Sequence, residues 1–385
     1  MKDLLDILHA ARRFRQEGRP FVCVTVVKTS GSTYRRPGAR MLVSEDGRLT
    51  GAVSGGCLEE DVAVRARQTL QEGRPRLVTY DTTSEEDILW GMGLGCAGVT
   101  HLWMEPIVPD TDFSLFDWLG RVIEENTPAA LATVFAASGN LSDLSGARGF
   151  LTAGGQWEST LSGSPAEEAI RRRCQAALEE GKTRSEKLAL EGGKLEMLVE
   201  FLHPPVSLTI FGGGHDALPV VALAAQLGWQ VTVVDHRPAY ACRERFPGAK
   251  AVLLAAPEEV PEKIQLQPAS LVLLMTHNYL HDKALLRWLL STPVQYIGLL
   301  GPWRRSERLL RELQEEEGLR LSEQDRQRLF APVGVDIGAE TPEEIALSIL
   351  AEMQAVIRRR NAGFLRERKG PIHEGAKSAN RFKII

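Results

Sequence analysis

Hydrophobic and polar positions alternate between helical and strand spacing along the first part of the chain. Apolar residues between Leu4 and Phe14 recur every three or four positions, which predicts an amphipathic opening helix. An apolar, β-branched run over residues 21–27 predicts a buried strand. Two further strands are predicted at residues 39–43 and 49–53, followed by a helix over residues 59–70.

The same pattern occurs twice. A shift of about 108 positions aligns residues 25–73 with residues 133–181 without a gap, and roughly a third of the positions match. The shared residues include Gly-Ala-Arg triplets that end at Arg40 and Arg148. We interpret this as a degenerate internal duplication, with copies at about 21–106 and 129–203 that pack together.

The two copies differ at their cysteines. Cys57 falls opposite Pro165, and the loop around Cys96 has no counterpart, since the second copy reaches its last strand (residues 195–202) about ten residues early. The first copy has therefore kept two cysteine-bearing loops that the shared fold does not need. This difference predicts that both loops are functional.

A different pattern begins after the His203-Pro204-Pro205 break. Predicted strands at residues 206–211, 230–235, 251–254, 271–275 and 294–300 alternate with helical segments. Such alternation predicts an α/β fold with a parallel, doubly wound sheet. The last helix should begin near Thr341, which can cap it. We therefore predict an N-terminal domain over residues 1–203, a Rossmann-like domain over 204–360 and a tail over 361–385.

Composition narrows the range of functions. The formal net charge of -4 and the pI of about 6.1 argue against nucleic-acid binding. Five widely spaced cysteines without a CxxC pair argue against a disulfide framework or a structural zinc site. The first residues show no signal-peptide pattern, and no apolar run is long enough to span a bilayer. These features predict a cytoplasmic protein with free thiols.

A glycine-rich turn follows the first strand of the second domain. Gly212 and Gly214 lie in a GxGxxA pattern that opens a helix, and Asp235 ends the next strand. This is the context of a dinucleotide-binding turn, in which Asp235 would bind a ribose and His215 would flank the nucleotide. The neighbouring Asp216 would repel a pyrophosphate. NAD(P) binding and a purely structural tight turn therefore both stay open.

The segment Ser54-Gly55-Gly56-Cys57 places a thiol between a strand and a helix. Backbone N–H groups and the helix dipole at such a position favour the thiolate, which can ligate a soft metal or attack an electrophile. The alternative is a small buried residue, which is the usual fate of a free cysteine.

A second glycine-rich loop carries Cys96. Four glycines within eight residues, Gly93 and Gly95 among them, would let a ligand approach the backbone closely. The alternative is a plain flexible loop. We expect the loops of Cys57 and Cys96 to converge on one site.

Other candidates are weaker. His277 and His281 have i, i+4 spacing, which suits a metal only if that stretch is helical, and no third ligand is evident. Cys23 lies inside an apolar strand and is predicted to be a core residue. Cys174 and Cys242 lie among arginines and are predicted to have no chemical role.

Several of these motifs also carry a family resemblance. They are residues 29–33 with 36–39, the SGGCLE segment at 54–59, GLGC at 93–96, and segments 212–215, 276–277, 296–301 and 334–342. Together they resemble the XdhC/CoxI family. The chain departs from the family pattern at Asp216, where an apolar residue is usual, and at Ala97, where glycine is common.

The resemblance implies an N-terminal XdhC/CoxI domain followed by a Rossmann-like domain. It also implies an accessory factor, not itself an enzyme, that binds and protects molybdenum cofactor and supports its sulfuration and insertion into a molybdenum hydroxylase such as xanthine dehydrogenase. A homodimer and a cysteine desulfurase partner are further expectations.

Within this resemblance, Cys57 and Cys96 would contact the cofactor. Arg40 and the N–H groups of Ser54, Gly55 and Gly56 would hold its phosphate. The alternative function is an NAD(P)-dependent oxidoreductase, and a non-enzymatic docking protein is a third.

Overall fold

The protein consists of two compact units that divide between Pro204 and Pro205. The structure is a computed structural model and describes residues 2–83, 98–108, 112–161 and 163–369. Within these ranges no helix combines the length and the hydropathy needed to cross a membrane.

The first unit contains two five-stranded antiparallel sheets with the same strand order. In chain order its elements are α1 (Lys2–Gln16), β1 (Phe21–Gly31), β2 (Arg40–Ser44), β3 (Leu49–Gly51), α2 (Glu59–Glu72), β4 (Arg76–Asp81), β5 (Gly98–Ile107), α3 (Ser114–Glu124), β6 (Ala129–Gly139), β7 (Arg148–Thr152), β8 (Trp157–Ser159), α4 (Glu167–Glu180), β9 (Arg184–Leu190) and β10 (Gly193–Leu202). The sheets run β3-β2-β1-β5-β4 and β8-β7-β6-β10-β9. The predicted internal duplication is confirmed, because each copy builds the same sheet.

The two sheets pack face to face between outer helices. Along β1, alternate side chains point to opposite faces, so Val22 and Val24 pack with α2 while Phe21 and Cys23 face the other sheet. The second copy repeats this arrangement with α4. Helices α1 and α3 complete the core between the sheets. Strand β1 is buried on both faces, which explains its nearly continuous apolar sequence.

The second unit is a six-stranded parallel sheet with helices between its strands. Its elements are β11 (Ser207–Phe211), α5 (Ala217–Gln226), β12 (Gln230–Asp235), β13 (Ala251–Leu254), α6 (Val260–Lys263), β14 (Leu271–Leu274), α7 (Tyr279–Leu290), β15 (Tyr296–Leu299), α8 (Trp303–Glu317), α9 (Glu323–Arg328), β16 (Leu329–Phe330) and α10 (Pro342–Ile357). The strand order β13-β12-β11-β14-β15-β16 confirms the doubly wound fold. The order reverses between β11 and β14, the position at which such sheets bind ligands.

Candidate functional site

The thiol of Cys57 is exposed on a tight turn that leads into α2. Its Sγ donates a hydrogen bond to Ser54 Oγ at 3.5 Å. Gly56 has a φ of +108°, a conformation that side chains with a Cβ adopt only at a cost. The predicted placement of Cys57 between a strand and a helix is therefore what the structure shows, and the sulfur is accessible to a ligand.

Ser54 and Glu59 hold this turn in shape. Ser54 Oγ accepts the N–H groups of Gly56 at 3.2 Å and Leu58 at 3.1 Å, and the Glu59 carboxylate accepts the Ser54 N–H at 2.9 Å as well as its hydroxyl. Partial burial of Glu59 opposes ionisation, but these hydrogen bonds outweigh it and lower its pKa. The N–H groups of Ser54 and Gly56 are thus engaged inside the turn, beside a carboxylate, which argues against the predicted phosphate site there.

The prediction that Arg40 holds a phosphate is corrected by its surroundings. Its side chain is only 5% exposed and forms a two-pronged ion pair with Glu200 of the second copy, at 2.9 and 2.5 Å. Desolvation and a close carboxylate leave this guanidinium unavailable to an outside anion. Arg148, its counterpart in the second copy, pairs with Glu105 of the first, where a single nitrogen, Nη2, donates to both carboxylate oxygens.

The loop that carries Cys96, Gly93 and Gly95 lies outside the described residues. Its base is set by the register of β5, which begins at Gly98 opposite Gly31 of β1. In the second copy β10 begins at Gly193 opposite Gly139 of β6, which is the same register.

Pro165 of the second copy corresponds to Cys57, 108 positions earlier. It lines an open cavity of about 490 Å³ together with Glu191, which lies in the two-residue turn between β9 and β10. The loop around Cys96 has no counterpart there, because this turn is too short to contain one.

The other described cysteines lack the surroundings of Cys57. Burial raises the pKa of Cys23 to about 11, with the Glu105 charge adding to it, and raises the pKa of Cys174 to about 12. Both thiols therefore stay protonated near neutral pH and pack as small apolar side chains. Cys242 is half-buried and donates to Glu244 at 2.7 Å.

The glycine-rich turn of the second unit has the predicted backbone, but its acidic residue, Asp235, is already hydrogen-bonded within the protein. Gly212 has a φ of +112°, and a Cβ there would lie 2.3 Å from the Met275 carbonyl oxygen. Asp235 accepts the N–H of Gly213 at 2.7 Å and is clamped by the Arg237 guanidinium at 2.8 and 3.0 Å. Burial opposes ionisation of Asp235, but these bonds prevail and lower its pKa to about 2.

A hydrogen bond spans the point at which the strand order reverses. Asp216, which directly precedes α5, lies 2.6 Å from Nε2 of His277, which follows β14. His277 has a φ of +57°, in the left-handed region that is unusual for a residue with a Cβ. Close by, a small cavity lined by Gly212, Asp235 and His281 measures about 20 Å³, room for about one water molecule.

The histidines do not form the i, i+4 metal pair that their spacing allowed. His277 precedes α7 and turns to Asp216, whereas the ring of His281 packs edge-on against His236 at 4.6 Å. His215 lies exposed in the turn before α5. Among residues 2–83, 98–108, 112–161 and 163–369, no three His, Cys, Asp or Glu side chains are placed to hold a metal ion.

Sequence reasoning missed one aromatic side chain at the Cys57 turn. Tyr34, in the loop between β1 and β2, is 69% exposed, and its ring lies against Gly55. Its signal was available in the duplication, because the corresponding residue of the second copy is Ser142.

Comparisons with known proteins agree with this architecture. The profile of the XdhC and CoxI family matches residues 14–81 and again residues 122–189, and that of the XdhC Rossmann domain matches residues 208–353. A Bacillus subtilis protein described as a probable subunit of xanthine dehydrogenase is 33% identical over 86% of this chain and 92% of its own length.

Two further relatives cover nearly the whole chain. The Escherichia coli molybdenum cofactor insertion chaperone PaoD is 26% identical over 92% of this chain and 89% of its own. A crystal structure described as a xanthine dehydrogenase from Bacillus halodurans superimposes with a TM-score of 0.72 at 31% identity, covering 92% of this chain and 96% of the other. The chain therefore belongs to the XdhC and CoxI family, with two copies of the XdhC/CoxI segment followed by an XdhC Rossmann domain.

Proposed function

We propose that this protein is an accessory factor that binds molybdenum cofactor as cargo and delivers it to a molybdenum hydroxylase of the xanthine dehydrogenase type. The names of two relatives support the role, since one refers to xanthine dehydrogenase and the other to cofactor insertion. Cys57 and Cys96 are the proposed contacts to the cofactor, with the backbone of Gly55, Gly93 and Gly95 beside them.

The observation that carries this proposal is the exposed thiol of Cys57, on a turn that the hydrogen bonds of Ser54 and Glu59 hold in shape. Cys96 is proposed to supply a second thiol to the same ligand. A pair of thiols suits the molybdenum and the sulfur-rich end of the cofactor, since thiolates are soft ligands.

Cofactor binding by cysteine variants of the full chain tests this proposal. Cofactor released anaerobically from a purified molybdenum hydroxylase is mixed with the protein, and bound molybdenum is measured after filtration. Cys57→Ala together with Cys96→Ala should weaken binding by roughly tenfold or more, about 1.4 kcal/mol. Cys242→Ala is the matched control and should bind like the wild type. Equal binding by the double variant and the wild type would refute the proposed contacts.

The finer parts of the role rest on the family resemblance. We propose that the protein shields its cargo from oxidation, that a cysteine desulfurase acts beside it in sulfuration, and that it works as a cytoplasmic homodimer. Light scattering of the purified protein tests the dimer. Co-purification from its own host, analysed by mass spectrometry, tests the desulfurase and the hydroxylase partners.

The alternative, an NAD(P)-dependent oxidoreductase, has less physical support. The Asp235 carboxylate, which would bind a ribose, already accepts four hydrogen bonds from Gly213 and Arg237. Asp216 adds a carboxylate at the turn where a pyrophosphate would lie. Titration with NAD and NADP in a calorimeter should therefore give no saturable heat, and a clear binding isotherm would restore the alternative.

A further inference from the structure

An exposed aromatic ring stands over the Cys57 turn. The side chain of Tyr34, in the loop between β1 and β2, is 69% exposed. A Cβ built on Gly55 would lie 3.3 Å from Cγ and Cδ2 of the ring and 3.6 Å from Cδ1. The ring therefore rests on the backbone of Gly55 while most of its surface stays open to solvent.

The ring and the thiol flank the same short turn. Gly55 supports Tyr34, and Cys57 follows two residues later with its sulfur 3.5 Å from Ser54 Oγ. The hydrogen bonds of Ser54 and Glu59 fix the turn, so the sulfur and the Gly55 backbone on which the ring rests are both held in place. A ligand that touches the sulfur would thus have a flat apolar surface beside it.

Comparison with the second repeat distinguishes the residues that the fold needs from those that occur only at the surface formed by Tyr34 and Cys57. Gly163 corresponds to Gly55 and Glu167 to Glu59, so this glycine and this carboxylate occur in both copies. Glu167 accepts hydrogen bonds within its own copy from Trp157 and Ser159. These shared residues have a structural role.

The ring and the thiol are lost together in the second copy. Ser142 stands where the first copy has Tyr34, and Pro165 where it has Cys57. Since the second copy folds into the same sheet without either side chain, neither is needed for the fold. Their joint restriction to one copy points to a shared ligand.

The charge of the loop between β1 and β2 also differs from that of its counterpart in the second copy. The residues after Tyr34 are Arg35 and Arg36, whereas the corresponding residues after Ser142 are Asp143 and Leu144. Arg35 is held by Asp3 at 2.5 Å, and Arg36 is exposed. The first copy thus combines an aromatic ring, a thiol and basic side chains, which suits a flat ring system with an anionic group.

We propose that the ring of Tyr34 is a stacking platform for the pterin of the molybdenum cofactor. This inference rests on the proposed function and adds the residue that recognises the organic part of the cargo. Stacking on an aromatic side chain needs only a π-face on the ligand, and loss of such a platform weakens binding by roughly tenfold or more. Cys57 then contacts the sulfur and metal end of the same molecule.

Substitutions at Tyr34 in the full chain test the platform. Tyr34→Ala and Tyr34→Ser, the latter being the residue of the second copy, should weaken binding of cofactor released from a molybdenum hydroxylase. Tyr34→Phe and Tyr34→Trp keep the ring and should bind like the wild type. Phe364→Ala is the matched control, because Phe364 is also 69% exposed and lies in the other unit. Thermal unfolding should be the same for all of these variants.

A metal-free probe separates this inference from the proposed function. Quenching of the fluorescence of pterin-6-carboxylate should depend on the ring at position 34 and should survive Cys57→Ala. If the wild type takes up the cofactor and Tyr34→Ala takes it up equally well, the platform is overturned and the carrier role stands. If the wild type takes up no cofactor but quenches the pterin through Tyr34, the platform stands and the carrier role fails. Weaker capture of a hydroxylase with unchanged cofactor uptake would assign Tyr34 to a protein contact and overturn the inference.

Discussion

Arg40 of β2 and Glu200 of β10 form a buried ion pair that joins one repeat to the other, and Arg148 and Glu105 form its reciprocal. The two arginines are 108 positions apart and the two glutamates 95, the same offsets that relate the flanking strands. The pairs are therefore related by the internal duplication, and each repeat supplies one partner to each pair.

Removal of Glu200 should destabilise the first unit strongly. Glu200→Ala leaves the Arg40 guanidinium buried without its counter-charge, which costs about 3–5 kcal/mol of unfolding free energy. Glu196→Ala is a matched control on the same strand, because Glu196 is 30% exposed and its bonds to Lys28 and Lys187 are worth about 1 kcal/mol or less. Urea unfolding measures the free energy of unfolding of both variants. Equal losses of stability would contradict the structural role of the buried ion pair. The double variant Arg40→Met with Glu200→Leu should recover most of the lost stability.

Two equivalent glycines allow a steric contact with Glu200 to be tested separately from backbone strain. Gly38 and Gly146 have φ values of +96° and +92°, so alanine strains both, at a cost of about 1 kcal/mol. A Cβ on Gly38 would also lie 2.7 Å from Glu200 Oε1, whereas a Cβ on Gly146 meets nothing closer than 3.8 Å, at Trp103. Gly38→Ala should therefore lower the unfolding midpoint more than Gly146→Ala. The reverse order would show that Glu200 moves away without cost.

Thiol labelling should distinguish the cysteines of the native protein. Cys57 is exposed, while burial holds the pKa of Cys23 at about 11 and that of Cys174 at about 12. At pH 8 the two buried thiols remain protonated and shielded, so iodoacetamide should modify Cys57 before Cys23 and Cys174. Peptide mass spectrometry over a time course gives the rates, and labelling in urea is the control for peptide recovery. Fast native labelling of Cys23 or Cys174 would contradict the packing of the sheets.

Asp235 should make the stability of the second unit depend on pH in the acid range. Its pKa falls from 3.8 to about 2 on folding, so its stabilisation is full above 3.8 and is lost as the pH drops towards 2. That shift corresponds to about 2 kcal/mol. The stability gap between the wild type and Asp235→Asn should therefore narrow between pH 5 and pH 2. Glu258→Gln, which alters an exposed carboxylate, should show no comparable change, and a constant gap for Asp235→Asn would refute the Arg237 clamp.

Much of the fold could be predicted because its strands are buried. Strand β1 and the parallel strands of the second unit have apolar runs that define them without further information. Strands β4 and β9 gave no such signal, because they are sheet edges with alternating, largely polar and half-exposed residues. Edge strands are fixed by pairing with a neighbour, which a hydrophobic pattern does not record.

The candidate site was predictable only in part. Comparison of the copies singled out Cys57, and the structure places its thiol exposed on a turn. The same comparison shows Arg148 opposite Arg40, and a residue kept in both copies is a sign of structure rather than of a ligand site. The partners of Arg40 and Asp216 lie 160 and 61 residues away in sequence, so only the folded chain reveals these contacts.

The two ion pairs between the repeats limit which parts of the first unit can be produced on their own. A truncated product with one repeat would carry an arginine and a glutamate whose partners are both missing, and it would neutralise them only by associating with a second repeat. Within one chain, each repeat therefore supplies the charge that neutralises the other. The second repeat does so without a thiol or an aromatic ring, so the scaffold constrains the arginine and the glutamate of both repeats but leaves positions 142 and 165 free to differ from Tyr34 and Cys57.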